Sequence, residues 1–165
     1  MKPTWSRALM LLGALAVLAT VNLAIVGKER IRRDGITAYL VLAPVDPRSL
    51  LQGDYMALRF ALAQELERSV APSGSAPARD GETRRVAVAL DARQVARLAA
   101  ADAAPALMLR YRMRGGHVWL GTNAFFFEEG SAQRFNGARY GEFRVDRDSG
   151  EAVLIGLRDA ELRPL

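Results

Sequence analysis

PVDPRSLLQGDYMALRF, residues 44–60, is the stretch on which the reading of this chain turns. It places Pro44, Asp46, Pro47, Gly53 and Asp54 within eleven residues and then runs into an apolar segment. Upstream, AYLVLAP (38–44) is short, apolar and rich in strand formers. Asp46 followed by Pro47 gives an N-cap and a first helical position, and Arg48 to Gln52 make one turn. Gly53 ends that turn, because glycine takes the left-handed C′ conformation most readily. From Asp54 to Ala63 the pattern alternates. Tyr55, Ala57, Arg59 and Ala61 share one face; Met56, Leu58, Phe60 and Leu62 share the other. The reading is strand, capped turn, strand, with Asp54 satisfying amides around Gly53.

Working towards the C-terminus, SVAPSGSAPARDGET (69–83) has no periodicity and reads as a mobile loop. Arg85–Leu90 is a strand. Residues 92–101 fit either an Asp91-capped helix or a turn leading into a strand at Val95–Leu98. Leu107–Met113 and His117–Gly121 flank Arg114-Gly115-Gly116, a hairpin signal. Ala124–Phe127 is strand-like, and Ser131–Gly137 fits a short helix. Arg139–Val145 and Ala152–Leu157 form a second hairpin. The fold class expected for residues 37–165 is mainly β (α+β), an antiparallel domain with short helices.

Towards the N-terminus, ALMLLGALAVLATVNLAIV (8–26) is 19 residues without a charge. As a helix it is about 28 Å long, close to the ~30 Å of a bilayer's hydrocarbon core. It follows a basic tail, 1–7, and precedes a charged juxtamembrane linker, 27–36. A cleaved signal peptide is the competing reading. However, Ala14-Leu15-Ala16 and Val17-Leu18-Ala19, the small-residue sites, lie inside the apolar run, which continues after them with no polar cleavage region. An uncleaved transmembrane anchor is therefore expected. Lys28, Arg30, Arg32 and Arg33 after the span outnumber Lys2 and Arg7 before it, which favours a cytoplasmic body. The export-like N-terminus argues the opposite.

The chain has 165 residues, 50% hydrophobic and 25% charged, which suits one folded domain. With no cysteine, disulfides and thiolate chemistry are excluded. Of 23 basic side chains two precede residue 28, leaving 21 against 18 acids, a net +3 on the body. These charges are interleaved along the sequence, so no nucleic-acid surface is expected. His117 is the single histidine. It reads as a surface strand residue, so neither a metal centre nor a Ser-His-Asp triad is expected. Asp46, Asp54, Glu128 and Glu129 are candidate acid–base carboxylates. A structural role fits each: Asp46 caps a turn, Asp54 satisfies amides around Gly53, and the two glutamates face solvent at a strand end.

GDYMALRF closely resembles the motif of the GDYXXLXY family of bacterial proteins, through Gly53, Asp54, Tyr55 and Leu58, with Phe60 in place of the final tyrosine. PVDPRSLLQ (44–52), FFFEEG (125–130), ARYGEFRVD (138–146) and VLIGLRD (153–159) resemble further family segments, in order. The resemblance implies that Asp46, Pro47, Glu128, Glu129, Gly130, Tyr140, Arg158 and Asp159 belong to the same binding or structural motif. It also tilts Val95–Leu98 towards strand. The family has no established activity; its members look like membrane-anchored domains found beside multi-pass membrane proteins. The expectation is an extracytoplasmic interaction or assembly module on a bacterial inner membrane. Its partners would be the bilayer, through 8–26, and a multi-pass membrane protein, with no cofactor and no catalytic residue.

The alternative is an enzyme using the carboxylates and tyrosines of the two motif regions. A second resemblance, to the signal-peptidase-like β fold, rests on a proline, a leucine and Gly-Asp before an apolar strand. There the nucleophilic position holds Pro44, and no lysine follows Lys28 to act as base. Such a fold would lack its catalytic pair.

Overall fold

The computed structural model describes residues 3–43, 55–70 and 79–165. The turn expected at 46–53, and with it Asp46, Pro47, Gly53 and Asp54, lies outside the described residues, as does 71–78 of the expected loop. An unbroken helix, α1 (Pro3–Asp34), carries the apolar run and is long and apolar enough to cross a membrane. Its leucines, valines and Ile25 are exposed, as in a helix whose solvent is lipid. The segment expected as a linker, 27–36, is not a separate loop. α1 runs through it to Asp34, and strand β1 (Ile36–Val41) starts after Gly35 alone.

Three antiparallel sheets follow. The first orders β1, β8 (Tyr140–Val145) and β9 (Ala152–Arg158); the second pairs β2 (Tyr55–Ala57) with β7 (Ala124–Phe126). The third orders β4 (Ala96–Leu98), β3 (Thr83–Leu90), β5 (Leu107–Arg114) and β6 (His117–Trp119). A parallel bridge, Tyr39 to Val95, links the first sheet to the third. The domain is mainly β with short helices. Both hairpins form where turn chemistry places them: Gly115 and Gly116 take φ of 54° and 77°, a geometry only glycine adopts freely. Asp91 opens a turn into β4 and not a helix, its Oδ1 accepting from the N–H groups of Arg93 and Val95 at 2.8 and 2.9 Å.

The strand expected at 54–63 is shorter than its alternation suggests. β2 stops at Ala57, Phe60 makes an isolated bridge to Leu42, and helix α2 occupies Ala61–Val70. The Phe60 carbonyl accepts from the N–H groups of Ala63 and Gln64, which starts the helix. Leu62, Ala63 and Leu66 are buried together, a helical spacing that lays α2 on β1, β4 and β6. The two-residue alternation still orders the side chains from Met56 to Leu62, all even positions being buried. The core runs through Leu40, Phe60, Val88, Leu109, Leu120, Phe143, Val145 and Leu157.

Two contacts join the layers next to α1. Gly150, in the β8–β9 turn, accepts the Arg110 N–H through its carbonyl at 2.7 Å, tying the first sheet to the third. At the helix end Ile31 is buried, and Arg144 donates to the Gly35 carbonyl at 3.3 Å.

Candidate functional site

Two of the sequence motifs meet in space. β2, within the first motif, pairs with β7 from FFFEEG in the register Tyr55–Phe126, Met56–Phe125, Ala57–Ala124. Met56 points into the core, so its neighbour Tyr55 points out. Tyr55 and Phe126 form a tilted ring pair 5.8 Å apart, 37% and 74% exposed. On the inner side Phe125 and Phe127 pack their rings against Phe135 at 5.1 and 5.3 Å. Leu58 is buried and donates its N–H to the Asn123 carbonyl. Phe60 is 1% exposed, edge-on to Phe143 at 5.3 Å. A ring without a hydroxyl suits that site, since a buried hydroxyl needs a partner.

Glu128, Glu129 and Gly130 form an exposed turn just beyond β7, closed by Ser131 donating to the Glu128 carbonyl at 2.6 Å. Tyr140 and Arg158 face one another across β8 and β9. Arg158 binds a residue the sequence reading did not single out, Glu142, which is 5% exposed; its Nε donates to Oε2 at 2.7 Å. Asp159 folds the next turn: its carboxylate accepts from the N–H groups of Glu161 and Arg163 and from the Arg163 guanidinium. Desolvation opposes its ionisation, and those donors outweigh it, holding the carboxyl below its ordinary range. Tyr55 thus neighbours Glu128 and Glu129 through one small sheet, whereas Tyr140, Arg158 and Asp159 belong to another. Among the described residues no three His, Asp or Glu side chains cluster as a metal would require.

A second feature emerges from the third sheet. Residues paired across antiparallel strands share a face, as do alternate residues along each strand. The inner face carries Val86, Val88, Leu107, Leu109, Tyr111 and Val118. The outer face gathers Arg85, Arg97, Arg110, Arg112 and Arg114, and the strands contribute no carboxylate to it. The clustering of basic residues sought along the sequence, and not found there, exists in the folded sheet. Its linear trace is LMLRYRMR (107–114), with arginine at every second position from 110. The edge of this face meets α1 at a cavity of about 300 Å³, where Glu151 bridges Lys28 and Arg110, the latter at 3.0 Å. Arg114 lies 5.0 Å over the Trp119 ring on the same wall.

No curated protein and no solved structure matches the chain. The sequence model of one family, described as GDYXXLXY protein, matches residues 17–157, from within the apolar half of α1 to the penultimate residue of β9. With most of its length matched, and the motif strands β2, β7, β8 and β9 formed by the segments that suggested the resemblance, this chain belongs to the GDYXXLXY family.

Proposed function

We propose that the chain is a membrane-anchored interaction module. Its body stands on the periplasmic side of a bacterial inner membrane and docks on a multi-pass membrane protein without catalysis. The observation that carries this reading is the Tyr55–Phe126 pair, two large rings held outward on a small sheet at 37% and 74% exposure. Rigid exposed aromatics next to a well-packed base supply the anchors on which interfaces depend. Anchoring by α1 supports a partner in the same membrane, because tethering raises the effective concentration of a co-embedded surface.

A photo-crosslinking amino acid placed at position 126 of the full chain in its native membrane tests the docking. We expect a crosslink to a membrane-spanning protein, absent when the label stands at exposed position 102 in the β4–β5 connection. Phe126→Ser should abolish crosslinking from position 55 while the melting temperature holds. Equal crosslinking from 126 and 102 would rule out docking through this pair.

A further inference from the structure

We propose that the cavity between α1 and the arginine face of the third sheet is a binding site for the phosphate of an anionic phospholipid headgroup. Its walls carry Lys28, Arg110, Arg112 and Arg114 against a single carboxylate, Glu151. Glu151 is taken up by Lys28 and Arg110, and Arg112 has no acidic partner among the described residues. A cavity of about 300 Å³ with this surplus suits a compact anion, and arginine forks match phosphate oxygens in pairs.

The position of the cavity selects the source of that phosphate. Lys28 lies two residues beyond Val26, where the apolar run ends, so it stands roughly 3 Å further along the helix axis. The headgroup layer outside the hydrocarbon core is about 5–7 Å deep on each side. With α1 spanning the bilayer, the cavity therefore opens at the level of lipid phosphates. The β8–β9 turn lies along the same stretch of helix: Asp146, Ser149 and Glu151 share a second, open cavity with α1 from Leu23 to Ile31, across the end of the apolar run. Trp119, beside Arg114, is the kind of side chain favoured at such an interface.

Native mass spectrometry of the full chain released from mixed micelles tests the assignment. Phosphatidylglycerol should be retained at least fivefold over phosphatidylcholine at equal concentration. Arg112→Gln with Arg114→Gln, both exposed on the sheet surface, should remove that preference without moving the melting temperature. Arg32→Gln with Arg33→Gln, exposed on α1 away from the cavity, should keep it. Equal retention of the two lipids, or a preference that survives the first pair of substitutions or disappears with the second, would overturn the site. Inorganic phosphate is the separate arm. If millimolar phosphate alone displaces phosphatidylglycerol and binds wild type but not the Arg112/Arg114 variant, the source is a free anion and the lipid assignment fails.

Discussion

Gly150 occupies a position that no other residue fits. Its φ is +71°, and a Cβ there would run into the Met108 carbonyl oxygen and come within 3.1 Å of the Arg110 nitrogen. Backbone atoms cannot swing aside as a side-chain tip can, so the cost falls on the joint between two sheets. Gly150→Ala should lower stability by about 3 kcal/mol in a denaturant titration, strain and overpacking acting together. Gly156→Ala is the control: a Cβ there meets nothing within 4 Å, and stability should change by no more than about 0.5 kcal/mol. Equal midpoints for the two variants would refute the close approach. The importance of Gly150 was not legible beforehand, because what crowds it lies on β5, some forty residues earlier in the chain. At Phe60 the sequence was enough. Its alternation with Met56 and Leu58 already placed the ring inward, where it is found.

At the scale of elements, β8 and β9 are held by more than their ladder. Glu142 is nearly enclosed, and Arg158 is the guanidinium that compensates it. Removing the cation alone leaves a buried carboxylate unpaired, so Arg158→Ala should cost about 3–5 kcal/mol. Glu142→Gln combined with Arg158→Met should cost clearly less than the single alanine change, as a double-mutant cycle in thermal melts would read. Additive losses would mean that the pair is not coupled. Both partners lie in quoted motif segments, but only Arg158 was singled out, since nothing in a linear charge pattern says which glutamate is enclosed. The hairpins around Gly115-Gly116 and residues 146–151 were legible because turn chemistry is local. Helix α2 was missed for a physical reason. Leu58, Phe60 and Leu62 keep the strand period across the junction, and only Ala63 and Leu66 reveal the helical one. The arginine face was half legible: its β5 share alternates openly in LMLRYRMR, whereas Arg85 and Arg97 join it only through strand pairing.

For the whole molecule, the decisive question is on which side of the membrane the sheets stand. Alkaline phosphatase fused after Leu165 should be active in bacterial cells, and a fluorescent protein that matures only in the cytoplasm should stay dark at the same place. The reverse pattern would put the body in the cytoplasm, where the basic residues after the span would hold it. On either side, the continuity of α1 into the domain has a mechanical result. Ile31 is buried in the body, Lys28 is clasped by Glu151, and Arg144 holds the Gly35 carbonyl, so no flexible joint separates span from sheets. A membrane helix answers a change in bilayer thickness by tilting. With α1 embedded as proposed, a tilt of about 10° in the span would be the same tilt of the sheets. The thickness of the surrounding lipid would then set the angle at which the aromatic pair is presented.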